Sequence, residues 1–217
     1  MHLFINKKLI YDTYMKRKVT RFAPTPSGHL HFGNFCNLIF TYWFAKQNNA
    51  ILKLRVDDYD YFRCKPKYIE SLFRILDMIN IDFVNRPQSI DDFYLHHSQK
   101  LKTEYYYKRL DEVTYKYVCE CSRNQFKGQK VYPGSCRNKE LSFKQNQTQW
   151  RYQLPKDLEE LESQIGDFVL WRKENIPSAL WVSLCEDDAM GITDIIRGDD
   201  LHISSQAQVL LSQYEGV

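Results

Sequence analysis

No apolar run in this 217-residue sequence approaches the roughly 18 residues of a membrane span. The amino-terminal stretch MHLFINKKLIYDTYMKRKVTRF threads charge through its apolar residues instead of building a signal-peptide core. The expectation is therefore a cytoplasmic protein with no membrane contact. Neither sign of charge dominates. Thirty Lys and Arg stand against 27 Asp and Glu, and a net charge of +3 is compatible with a nucleic-acid partner without arguing for one. Internal repeats and low-complexity tracts are missing, and so is the long glycine loop of P-loop or dinucleotide folds. What is present is an ordinary globular composition, 43% hydrophobic and 26% charged, enriched in aromatics with 15 Tyr and 13 Phe. Such a chain can bury one sizeable core, or one domain carrying a smaller insert.

The chain alternates strand and helix. KVTRFAP reads as a short strand broken by Pro24 and Pro26, and Phe35, Leu38, Ile39, Tyr42 and Ala45 recur at helical spacing up to about Asn48. AILKLRV is the next strand, followed by a helix from about Lys67 to Asn80 whose buried stripe is Ile69, Leu72, Phe73, Leu76 and Ile79. This rhythm predicts an α/β fold, a parallel sheet with crossover helices. A further helix is expected from about Ser98 to Val113. The pattern then gives way to a cysteine-bearing segment and the polar passage KQNQTQWRYQLP, which has the character of an insert. From Gly166 onward GDFVLWR, ALWVSLC and GITDIIRG each have strand length, before a last helix from about Ser204 to Tyr214.

Two stretches carry candidate chemistry. In RFAPTPSGHLHFGN, Gly28 and Gly33 allow close backbone approach at the mouth of a helix, whose free N–H groups and positive dipole end suit an anion such as a triphosphate. His31 and Asn34 would add donors there. The alternative is a plain strand-to-helix turn with a surface histidine. Three of the six cysteines, Cys119, Cys121 and Cys136, crowd together, and in a cytoplasmic protein they are thiols or metal ligands, not disulfides. Their spacing suits a tetrahedral zinc site short of one ligand, and no His lies between His97 and His202 to complete it. Tyr132 or a carboxylate would have to serve. The alternative is three reduced core thiols.

RFAPTPSGHLHFGN resembles the start of the glutamyl-type class I aminoacyl-tRNA synthetases, in which Arg-Phe-Ala-Pro-Ser-Pro-Thr-Gly leads into an H-I-G-H motif, here His31-Phe32-Gly33-Asn34. RVDDYD, from Arg55 to Asp60, is similar to that family's Arg-Ile-Glu-Asp, and GITDIIRGDDL to its late Gly-Val-Thr-x-Val-x-Arg-Gly-x-x-Leu. CECSRNQFKGQKVYPGSCR resembles the Cys-x-Cys…Tyr-x3-Cys segment of the glutamyl-queuosine tRNA(Asp) synthetases, relatives without an anticodon-binding domain.

The resemblance implies a Rossmann-like class I catalytic domain with a small zinc-binding insert. Residues 1–17 would be an extension, 18–97 and 166–217 the two halves of the catalytic domain, and 98–165 the inserted acceptor and zinc-binding subdomain. It further implies ATP-dependent activation of glutamate, with Mg2+, and transfer of the glutamyl group to tRNA, to the queuosine of tRNA(Asp), by a monomer. His31 and Asn34 would be catalytic. ATP would lie on His31, Gly33 and Asn34, glutamate on Arg21, Thr25, Asp57 and Arg197, and a structural Zn2+ on Cys119, Cys121, Tyr132 and Cys136.

Three positions depart from the family pattern. Asp57 stands where the family has a glutamate that holds the substrate amino group, one methylene longer, and Ala179 stands where it has a tyrosine. Val217 lies 16 residues beyond Leu201, ahead of the place of a K-M-S-K-S-like loop, so the second half of the domain is expected to be short. A synthetase-like protein that binds nucleotide or RNA with little or no aminoacylation is the alternative expectation.

Overall fold

The computed structural model describes residues 17–129, 131–155 and 163–216, so all but the last residue of the expected 1–17 extension lies outside the described residues. Strand β1 (Val19–Phe22) pairs in parallel with β2 (Ile51–Leu54), in the register Arg21 with Lys53 and Phe22 with Leu54. Between them runs helix α1 (Phe32–Gln47), the crossover that a parallel pair requires. α2 (Pro66–Ile79) follows β2, entered by a proline in its first turn and left through Asn80 in the left-handed conformation at φ 49°. Its predicted stripe is the one that packs: Ile69, Leu72, Phe73 and Leu76 are buried with Phe22, Leu38, Leu52 and Leu54 in one core.

The expected helix from Ser98 to Val113 is a composite. A short helix α3 (Ile90–Asp92) continues into a π-helical turn, Phe93–His97; a 3-10 turn (Gln99–Lys102) then leads into α4 (Thr103–Arg109) and a closing 3-10 turn (Leu110–Glu112). Ser98 is extended, with ψ 129°, because its hydroxyl and the Gln99 N–H both donate to the buried carboxylate of Asp58, at 2.6 and 2.7 Å. Those two bonds hold the chain out of a continuous helix.

β3 (Lys116–Cys119), β4 (Gln149–Tyr152) and β5 (Val169–Trp171) form an antiparallel sheet in that order. ALWVSLC, expected as a strand, is instead the body of α5 (Ala179–Ala189). Ser178 caps it by accepting from the Trp181 N–H, and Trp181, Val182, Leu184, Cys185, Glu186 and Asp187 are all buried. A helix enclosed on nearly every side shows no polar face, and a short stretch of it reads like a core strand. GITDIIRG is not a strand either. Its Thr193 and Asp194 N–H groups donate to the Val19 carbonyl, at 2.9 and 3.1 Å, and the Asn37 side chain holds the Ile196 carbonyl, so the segment is tethered beside β1 without continuing the ladder. A final helix α6 (His202–Glu215) packs on α5 through Ala207, Leu210 and Leu211, in a second core with Tyr106, Tyr152, Trp171 and Trp181.

Candidate active site

The carboxyl end of β1, the amino end of α1 and the start of α5 open on one cleft of about 1040 Å³. Arg21, Thr25, His31, Gly33, Asn34, Asp57 and Arg197 all line it. Two chemically distinct ends share this space.

One end is the mouth of α1. His31 is the N-cap residue, extended at φ −100° and ψ 172°, and its Nδ1 accepts from the Gly33 N–H at 3.1 Å while its own N–H donates to Asn34 Oδ1 at 3.0 Å. The reciprocal pair satisfies two backbone donors of the first turn. An Nδ1 that accepts leaves the ring proton of neutral His31 on Nε2, and an Asn34 oxygen that accepts leaves its amide NH2 as a donor. A Cβ on Gly33 would meet the His31 ring at 3.0 and 3.1 Å. A larger residue there would have to push the exposed His31 ring aside by a few tenths of an ångström. Around Gly28 there is open space.

The other end is a set of buried ions. Arg55 and Asp57, two residues apart on extended chain and so on one face, form a pronged pair: Nε to Oδ1 at 2.7 Å and Nη2 to Oδ2 at 3.2 Å. Gln99 Nε2 adds a bond to Asp57 Oδ1 at 2.8 Å. Arg55 Nη1 reaches Asp187 Oδ1 at 2.6 Å, and Arg21 grips the same carboxylate through Nε at 2.8 Å and Nη2 at 3.3 Å. Arg197 Nη2 stands 3.9 Å from Asp187 Oδ2, its Nη1 bonded to Gln208 Oε1. Burial works against the charge of Arg55, but Asp57 and Asp187 more than offset it and hold its pKa above the ordinary value. Arg197 moves the other way, down to about 10, through burial and then the neighbouring Arg21. It still carries its charge at neutral pH.

Arg55, Gln99 and Asp187 were not singled out by the sequence reading. Asp187 lies two residues beyond the segment expected to be a strand, in the acidic run Glu186-Asp187-Asp188 that follows it, which was the available signal. Glu186 faces elsewhere, paired with Lys102 at 2.8 Å and accepting from the Tyr106 hydroxyl at 2.9 Å.

Away from the cleft, Cys119, Cys121 and Cys136 are buried with their Sγ atoms all within 4.8 Å of one another. β3 ends at Cys119, and the chain that continues from it brings the Cys121 thiol to the same point. Cys121 and Cys136 lie 3.5 Å apart, and the Tyr132 hydroxyl is 3.4 Å from Cys119 Sγ and 3.5 Å from Cys121 Sγ. With Zn–S bonds of about 2.3 Å, ligand atoms of a tetrahedral zinc site stand roughly 3.8 Å apart, so the donor set fits that ion. Arg151 braces the cluster, donating from Nε to Cys119 Sγ at 3.3 Å, with its guanidinium 3.9 Å from the centre of the Tyr132 ring. Burial acts to raise the Cys119 thiol, but hydrogen bonds from Tyr132, Arg151 and Gln149 outweigh it and bring the pKa down to about 7.

Among the described residues, no helix is long and apolar enough to cross a membrane. Residues 18–157 match the family model described as tRNA synthetases class I (E and Q), catalytic domain. A glutamate–tRNA ligase of Aquifex aeolicus is 31% identical, aligned over 93% of this chain and 47% of its own length, and one from Coxiella burnetii is 28% identical over 89% and 48%. The chain therefore spans about half the length of the curated relatives it matches. In fold it is similar to a glutamate–tRNA synthetase of Elizabethkingia anophelis, with a TM-score of 0.74 at 21% identity over 93% of this chain and 48% of that one. The α/β architecture is thus that of a class I synthetase, and the chain belongs to the family of class I tRNA synthetase catalytic domains for glutamate and glutamine.

Proposed function

We propose that the cleft activates glutamate with ATP, and that the glutamyl group is passed to tRNA, with the queuosine of tRNA(Asp) as acceptor. The observation that carries the first half is the pairing, in one cleft, of a helix mouth with free donors and an arginine cluster with surplus positive charge. The second half rests on the resemblance of the cysteine segment.

The chemistry needs no protein nucleophile. A substrate carboxylate oxygen attacks the α-phosphorus of ATP, the bond to the bridging oxygen breaks, and pyrophosphate leaves. A hydroxyl of the RNA then attacks the acyl carbon of the adenylate and AMP departs. Charge builds on phosphate oxygens in the first step, so positioned donors matter more than bases. In this reading His31 Nε2–H, the Asn34 amide and the N–H groups at the head of α1, with Gly33 among them, take the nucleotide. Mg2+ enters with ATP and neutralises phosphate charge. Arg21 and Arg197 take the two carboxylates of glutamate, Thr25 lines their edge of the cleft, and Asp57 receives the ammonium group. Cys119, Cys121, Tyr132 and Cys136 would hold Zn2+, which supplies a structural cross-link to a segment too small to be held by an apolar core alone.

The test of the acceptor is transfer of radiolabelled glutamate to tRNA(Asp) prepared with and without queuosine. Label appearing only on the queuosine-bearing RNA supports the reading. Label on tRNA(Glu) instead would replace the acceptor while leaving activation in place.

A further inference from the structure

Asp187 does not line the cleft, and its side chain is 9% exposed, yet it touches or faces every arginine at the buried end. The three cations are used unequally. Arg55 spends Nε and Nη2 on Asp57 and Ser183 Oγ, and Nη1 on Asp187 and the Ser183 carbonyl, so each of its nitrogens is engaged. Arg21 is gripped through Nε and Nη2, which leaves Nη1 outside that grip, and Arg197, whose Nη1 bonds Gln208 Oε1 and Ser205 Oγ, brings its Nη2 to 3.9 Å from the same carboxylate. A buried carboxylate anchored by one saturated arginine thus sets the aim of two others. The count of charge is equally specific. Three guanidinium groups meet two carboxylates, Asp57 and Asp187, so the buried end carries one net positive charge and is balanced by a ligand of net charge minus one.

We infer that Asp187 is the positioning residue for amino-acid selection, holding Arg21 and Arg197 in place and setting a charge balance that admits an amino acid with two carboxylates and excludes one with a neutral side chain. The inference rests on the reading of the cleft as an amino-acid activation site. Asp187 acts through the arginines and touches no substrate itself.

The experiment is calorimetric binding of glutamate, glutamine and Mg–ATP, each alone, to the full chain and to Asp187→Asn, with thermal melts of both. The wild type is expected to bind glutamate at least tenfold more tightly than glutamine. Asp187→Asn is expected to lose at least tenfold in glutamate affinity and most of that preference, with Mg–ATP affinity unchanged; a general loss of structure would move both ligands together. An Asp187→Asn protein that keeps the preference overturns the inference while leaving the activation site standing. Wild-type protein that binds Mg–ATP but neither amino acid overturns the activation reading itself. Where Asp187→Asn does not fold, Asp187→Glu keeps the charge and displaces the carboxylate; the same selective loss supports the inference, and unchanged glutamate affinity overturns it. Equal wild-type affinity for glutamate and glutamine overturns it without any variant.

Discussion

Arg55, which lines the cleft, and Asp187, which does not, meet at 2.6 Å, 132 positions apart in sequence, joining the end of β2 to α5. Neither side chain is more than 9% exposed. Removing one partner of such a pair leaves buried charge without compensation. Arg55→Met is therefore expected to cost roughly 3 to 5 kcal/mol of unfolding free energy, read as a lower urea midpoint. A midpoint within error of the wild type would show that the pair does not hold these elements together.

At the helix mouth two variants probe the capping box and the donors it carries. Asn34→Ala removes the acceptor for the His31 N–H, one of the two bonds of the capping box, and should cost about 1 kcal/mol of stability. His31→Ala removes a further donor aimed at developing phosphate charge, and activation should fall by roughly 10²-fold or more. Equal activation by His31→Ala and wild type would remove His31 from the mechanism.

The cysteine cluster predicts a tightly held metal. Protein purified without chelator should carry close to one zinc per chain by mass spectrometry of the metal, and stripping it should lower the melting temperature, since an ion that binds only the folded chain stabilises it. Cys136→Ser should carry far less. Zinc well below stoichiometric in the wild type would leave Cys119, Cys121 and Cys136 as reduced thiols.

In the metal-free chain, Cys119 and Cys64 should respond to pH in opposite senses. Cys119 is held near 7, below a free thiol, so its folded form loses its proton first; stability gained this way is complete above the unfolded value of about 8.5 and lost as pH falls through 7. Cys64 is pushed up to about 11 by burial and then by Asp58 and Asp60, so it costs stability as pH rises from about 8.5 toward 11. Iodoacetamide labelling at pH 8, mapped by mass spectrometry, should find Cys119 modified well before Cys64. Faster labelling of Cys64 would contradict the assigned environments.

The parts of the fold that were readable in sequence are those with one wet face. α1, β2 and α2 each bury one side, so Ile69, Leu72, Phe73 and Leu76 announce both the helix and its orientation, whereas β1, buried along Thr20, Arg21 and Phe22, is marked by the prolines that end it, Pro24 and Pro26. α5 gave no such contrast, because Trp181, Val182, Leu184, Cys185, Glu186 and Asp187 are buried around its circumference. The consequence reaches the site: read as a strand that ends at Cys185, the segment leaves Asp187 in the connection after it, with no helix face to aim it at its arginine partners. The break at Ser98 was equally hidden, since it depends on Asp58, 40 positions away. Local motifs fared better. The loop from Arg21 to Asn34 and the Cys119–Cys136 segment both carry their geometry in short spacing, and the structure brings the named side chains of each together.

Activation of glutamate in this cleft is read by ATP–pyrophosphate exchange with the full, zinc-loaded chain. Glutamate, aspartate and glutamine should be compared, first without RNA and then with tRNA(Asp) bearing queuosine. Exchange should depend on glutamate and be at least tenfold weaker with the other two amino acids. Folded protein that is silent with all three, with and without RNA, would contradict that activation.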